Sequence, residues 1–313
     1  MFCIFQFRIK PYERHVPQQK IISILSNKGG VGKTVFAIEL AQSLGSLGFR
    51  TLLIDTDINT GDVSIKLKLA YPLTLLDFFQ KTVDDLSQLA QKVHSFYLVP
   101  GAGGHFEFAN LYYQQKMKFI RSFRRIAQEF DFTILDLGAG IERTTLDFAL
   151  TADLPVIITT PEDIQTGYGC AKAAAVRMRE LDRNMRRKQP DYPLREEFSP
   201  WFVFNKAADN LARGIFRGVE KAAEVTAARR EAQIVPRYLG SLPEEHHVIE
   251  KAYFRQHLPV TVAYPRQKFC AQMRLMSRKI TGQFLPQSSS ENLSPLERVF
   301  QLFRSEKESA LAQ

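Results

Sequence analysis

Residues 26–34 read SNKGGVGKT, between the β-branched run KIISIL and the helical pattern VFAIELAQSLGSLG. Strand, glycine-rich turn and helix in that order make a phosphate-binding loop of the G-x-x-x-x-G-K-[ST] type. Backbone N–H groups and a helix N-terminus face the anion, a lysine reaches the β- and γ-phosphates, and a hydroxyl meets Mg²⁺. Gly32, Lys33 and Thr34 take the last three places. Asn27 stands where the first glycine belongs, and asparagine tolerates positive φ, so the turn is expected to survive the exchange. Lys28 has no part in the ordinary loop. The bland alternative, a glycine-rich turn with solvated lysines, sits poorly with the strand and helix patterns on either side.

Working outward, strand-like runs alternate with helix-length amphipathic segments. The runs are KIISIL (20–25), TLLIDTD (51–57), FYLVPG (96–101), FTILDLG (132–138), LPVIITT (154–160), WFVFN (201–205) and the weaker RYLGSLP (237–243). This is the pattern of one α/β domain, a parallel-rich sheet with helices on both faces. Ligands of such sheets bind beyond the carboxyl ends of the strands. A nucleotide hydrolase needs carboxylates there to hold Mg²⁺ and to position water. Asp55 and Asp57 end the second run, and Asp136 ends the fourth, ahead of glycines that allow close backbone approach. In the alternative reading, one of the three only caps a helix.

The chain has 313 residues, 45% of them hydrophobic, and a net charge of +9 that favours an anionic partner: nucleotide, nucleic acid or an acidic membrane surface. Cys3, Cys170 and Cys270 are too scattered for a disulfide framework, which points to a reducing cytoplasm. No run of about eighteen apolar residues would span a bilayer, and the start, MFCIFQFRIK, lacks the form of a signal peptide. The expected division is a leader at 1–19, the α/β domain at 20–284, a flexible linker at 285–294 and an amphipathic helix with its tail at 295–313. In that last segment Ser294, Pro295 and Glu297 supply a helix start, while Leu296, Val299, Phe300 and Phe303 recur at i, i+3, i+4 and i+7. The apolar stripe is expected to bind a membrane surface; the alternative is a helix packed back on the domain. Between Gln165 and Arg187 a helical stretch turns basic, with Arg179, Arg183, Arg186 and Arg187 on one face. A solvated face and a nucleic-acid or lipid contact both remain open.

K-G-G-V-G-K-T at 28–34 resembles the deviant Walker A loop of the MinD/ParA ATPases, P-loop NTPases of the SIMIBI type. The resemblance extends over about residues 20–282, through D-x-D at Asp55 and Asp57 and the hhhhD-x-x-A-G pattern at Asp136. It implies an ATPase using ATP and Mg²⁺. Gly29, Gly30, Val31, Gly32, Lys33, Thr34 and Val35 would bind the nucleotide, and Thr34, Asp55 and Asp136 would serve the metal. Asp57 would orient the attacking water, and Lys28 would reach across an ATP-dependent homodimer to the partner's phosphates. Asn205, ending WFVFN, and Pro243, in GSLPEEH, fill the places that contact the base; an asparagine at a strand end is otherwise a turn former.

The chain has no C-x-x-C pair, unlike the related iron–sulfur carriers and zinc-stapled targeting ATPases, and no C-terminal tyrosine cluster, unlike the related kinases. DLGAGIE, TTPEDIQTGYG and the tail helix look most like the FlhG (FleN) branch, MinD relatives that regulate flagellar number and placement. That implies a cytoplasmic protein peripherally bound to the inner face of the cell membrane, with an activator or cargo protein as partner. The alternative is a ParA-like ATPase that binds DNA. Two departures stand out: NTGDVS replaces the branch's usual switch I pattern, and the N-terminal segment lacks the motif that stimulates the flagellar GTPase partner.

Overall fold

β-Branched and aromatic residues are common in the central strands of one eight-stranded sheet in the computed structural model, which describes residues 20–57, 62–103 and 112–284. The strands are β1 (Lys20–Leu25), β2 (Thr51–Asp55), β3 (Gln91–Val93), β4 (Phe96–Val99), β5 (Phe132–Asp136), β6 (Leu154–Thr159), β7 (Trp201–Phe204) and β8 (Arg237–Ser241). Their order is β3-β4-β2-β5-β1-β6-β7-β8. All pair in parallel except β3, which returns antiparallel onto β4. All seven predicted runs form strands. β3 has no counterpart among them, because Gln91-Lys92-Val93 carries no apolar alternation and its pairing follows from the hairpin with β4.

Successive residues point to opposite faces. Ile22 and Ile24 of β1, Phe132 and Ile134 of β5, and Val156 and Ile158 of β6 enter one core, together with α1 (Lys33–Ser46), α9 (Val260–Ala263) and α10 (Lys268–Phe284). Leu25, Leu135 and Ile157 enter the other, with α3 (Leu75–Phe79), α4 (Tyr113–Ala127), α5 (Arg143–Ala149), α6 (Ile164–Lys188) and α7 (Asp209–Ala228). Two further short helices are α2 (Asp62–Lys66) and α8 (His246–Glu250). At the β8 edge, the Lys279 ammonium of α10 donates to the carbonyls of Tyr238 (2.9 Å) and Leu239 (3.1 Å).

β1 lies at the centre, where the chain's connections change direction: β2 to β5 fill one side and β6 to β8 the other. The loop that follows β1 therefore opens into the crevice such a reversal creates. The predicted leader, linker and C-terminal helix, including Leu296, Val299, Phe300 and Phe303, lie outside the described residues.

Candidate nucleotide site

Two glycines bend the 26–34 loop. Gly30 has φ 77° and Gly32 has φ 97°, values that favour glycine, and Gly32 caps α1. Asn27 is not among the left-handed residues. The expectation that it would use positive φ is corrected: the turn takes its curvature three and five residues later, at Gly30 and Gly32, where only hydrogen replaces Cβ. The Ser26 hydroxyl donates to the Lys28 carbonyl at 2.8 Å, closing the loop's first half. Lys33 and Thr34, at the start of α1, are 8% and 9% exposed, so both side chains are largely enclosed by the protein.

Asn205 reaches this loop from the end of β7. Its Nδ2 donates to the Val31 carbonyl at 2.8 Å and its Oδ1 accepts from the Lys206 N–H at 3.0 Å. A Cβ on Gly32 would stand 2.4 Å from that Nδ2. Asn205 thus fastens the loop from behind as well as lining the cavity beside it.

Asp55 and Asp136 are register partners at the ends of β2 and β5, both fully buried. Burial and then the negative charge of Asp136 push the Asp55 carboxyl well above the ordinary carboxylate range. Asp55 also accepts from the Asp57 and Val63 N–H groups, each at 3.2 Å, and so links the end of β2 to α2. Gly101, beyond β4, packs against it; a Cβ there would lie 2.9 Å from the Asp55 carboxyl carbon. Thr56 ties the two strand ends together, donating to the Asp136 carbonyl through N–H (3.0 Å) and hydroxyl (2.7 Å). Asp57 lies over the loop after β5, where a Cβ on Gly138 would be 3.4 Å from its Oδ1. Gly140 N–H closes the circle by donating to the Ser26 carbonyl at 2.9 Å. The donor set suits a divalent cation: hard oxygens, two fully buried carboxylates side by side, and a repulsion between them that a cation relieves.

On the other side of the loop lies a cavity of about 240 Å³, walled by Val35, Phe36, Pro243, Ile249, Phe254 and Phe269. Apolar walls with a few polar groups are what a planar base needs. Glu245, two residues beyond Pro243, also lines it, and its Oε2 is buried with no hydrogen-bond partner among the described residues. A second group also escaped the sequence reading. Asp163, ahead of α6, accepts from Lys28 Nζ at 2.8 Å and from the Thr160 hydroxyl at 3.1 Å, and the Lys28 hydrogen bond holds its carboxyl below the usual range. Lys28 itself remains 59% exposed, at the mouth of the loop.

The basic stripe of α6 divides. Arg179 donates to the Glu231 carbonyl at 3.0 Å, while Arg183, Arg186 and Arg187 are exposed. Arg177, outside the predicted stripe, joins Asp147 and Glu180. Among the described residues, no helix is long and apolar enough to cross a membrane.

A family model described as an AAA domain matches residues 19–179. The antiactivator FleN of Pseudomonas aeruginosa is 27% identical over 270 residues, covering 85% of this chain and 88% of FleN. The septum site-determining protein MinD of Bacillus subtilis is 33% identical over 147 residues, covering 45% of this chain and 53% of MinD. Among solved structures, MinD of Pyrococcus horikoshii complexed with Mg-ADP superimposes with a TM-score of 0.56 at 20% identity, covering 85% of this chain and 99% of that one. The strand order, the two-lysine loop and a match running the length of FleN lead to one assignment: the chain belongs to the MinD/ParA family of P-loop ATPases, and within it is FlhG-like.

Proposed function

We propose that this protein is a Mg²⁺-dependent ATPase whose ATP-bound form dimerises, cycles on an anionic membrane surface and positions or counts a cellular structure; septum site determination is what the MinD relative is named for. The observation that carries the catalytic part is the juxtaposition of the two-lysine loop with the buried Asp55–Asp136 pair. Lys33 and the loop N–H groups hold the β- and γ-phosphates, and Lys28 reaches the phosphates of a second copy. Asp57, above Gly138, orients the attacking water. Thr34, Asp55 and Asp136 would hold Mg²⁺, which when bound offsets phosphate charge. The base enters the cavity beside Asn205 and Pro243.

Lys28→Ala is expected to retain ATP yet lose hydrolysis, and Lys33→Ala to lose ATP binding itself. Normal turnover by Lys28→Ala, measured as phosphate release, overturns the trans-acting lysine. The membrane part rests on the sequence of the C-terminal segment. One short helix binds lipid weakly, while two on a dimer gain roughly 10²–10⁴ in avidity. Full-length protein should sediment with anionic vesicles in ATP but not in ADP, and Phe300→Glu should release it with nucleotide binding unchanged. Equal sedimentation of the variant favours the second reading, a DNA-binding ATPase, for which the exposed Arg183, Arg186 and Arg187 speak.

A further inference from the structure

Glu39 is a carboxylate in the middle of an apolar core. It sits on α1, one turn beyond Val35 and Phe36 and on their face of the helix, and it is 0% exposed. Four donors converge on it. Tyr253 Oη (2.6 Å) and the Val260 N–H reach Oε1; the Thr261 N–H (3.0 Å) and Thr261 hydroxyl (2.7 Å) reach Oε2. Burial raises the carboxyl's pKa while these hydrogen bonds draw it down, and burial followed by the Glu39 charge pushes Tyr253 well above its ordinary range. A charge is not kept in such a place for stability alone, since an apolar side chain of similar size often serves as well there.

What the donors have in common is the segment they belong to, which carries on from the wall of the base cavity. Ile249 lies one turn before Tyr253, and Phe254 follows it; both wall the cavity, and Phe254 is 68% exposed at its mouth. The backbone between them and Val260 is irregular. Lys251–Gln256 form a π-helical turn, and His257 adopts φ 56°, a left-handed value costly for a non-glycine residue. Few regular backbone bonds brace it: Leu258 N–H to the Ala252 carbonyl at 3.1 Å crosses the bend at His257. Glu39 fixes it at three points, one ahead of His257 and two after it, to the same helix that begins with Lys33 and Thr34.

We propose that Glu39 is a positioning residue that sets the Ile249–Phe254 wall against Val35 and Phe36, so that nucleotide affinity depends on the base and not on the phosphates alone. The inference rests on the nucleotide reading given above and extends it to base selectivity. In Glu39→Gln an NH₂ group faces backbone N–H donors, so the wall loses at least one anchor while side-chain volume is kept.

The test compares Mg-ATP with magnesium tripolyphosphate, which carries the phosphates without base or ribose, by calorimetric titration of the full chain. Glu39→Gln should weaken ATP by about tenfold or more and leave tripolyphosphate within about twofold. Tyr253→Phe, which removes one of the four hydrogen bonds and keeps the packing, should weaken ATP by a smaller factor in the same direction and decides the matter should the Gln variant fail to fold. Parallel losses for both ligands would make Glu39 a support of the loop and overturn the proposal, as would unchanged ATP affinity. Wild-type protein that binds tripolyphosphate as tightly as ATP refutes the base cavity and this inference with it; wild-type protein that binds neither refutes the nucleotide reading itself.

Discussion

Gly32 and Asn205 should be energetically one unit, and a double-mutant cycle measures it. In Gly32→Ala the new methyl inherits φ 97°, a left-handed strain of about 1–2 kcal/mol, and lies 2.4 Å from the Asn205 amide nitrogen. One atom must leave. Asn205 is the side chain free to rotate, and its departure breaks the 2.8 Å bond to the Val31 carbonyl, worth about 1 kcal/mol in this buried place. Gly32→Ala is therefore expected to cost about 2–3 kcal/mol. Asn205→Ala forfeits the same bond for about 1 kcal/mol and removes the obstruction. The double variant pays the strain in full but loses the bond only once, so it should be about 1 kcal/mol more stable than the sum of the singles. Urea unfolding reads this as shifts in midpoint at constant slope. Additivity within about 0.3 kcal/mol would refute the reasoning, because it would mean that the methyl never meets the amide.

Asp136→Asn removes the like charge beside buried Asp55, so the ligand-free protein should gain on the order of 1–2 kcal/mol, a rise in Tm of about 2–8 °C. The further rise produced by Mg-ATP should vanish in the same variant, and a lower ligand-free Tm would contradict the repulsion. Asp147 on α5 holds Lys116 of α4 at 2.6 Å and Arg177 of α6 at 2.8 Å, with all three side chains 14% exposed or less. Asp147→Ala leaves two poorly hydrated cations and should cost about 3 kcal/mol in denaturant unfolding, with phosphate release per folded molecule unchanged; a loss under about 1 kcal/mol would show that the pairs are solvated.

The phosphate loop and the strands were legible because their signals are local: β-branched runs, glycines at the turn and carboxylates at strand ends all fall within windows of a few residues. What escaped depends on distance along the chain. Glu39 looks like any polar residue of an amphipathic helix until Val260 and Thr261, 221 and 222 residues later, return to it. Asp163 and Glu245 immediately precede α6 and α8, and only the fold brings one to Lys28 and the other to the cavity wall. The basic stripe divides for the same reason, since the Glu231 carbonyl that takes up Arg179 lies just past the end of α7. Asn205 was singled out for the base, and its bond to Val31, 174 residues away, was invisible to any local pattern.

The two margins of the sheet bear on how copies of this chain meet. An open strand edge is a template for another chain, and sheets that expose one tend to grow sideways. Here β3 ends one side after three residues, with Lys92 among them, and on the other the Lys279 ammonium occupies carbonyls of β8. Neither margin offers a long, unoccupied row of backbone groups. Edge-to-edge growth into fibres or continuous intermolecular sheets is thereby discouraged, which leaves the rim where the loops gather for the proposed ATP-dependent dimer. If two copies meet face to face there, as in the proposed dimer, the assembly is closed, because neither rim is left exposed.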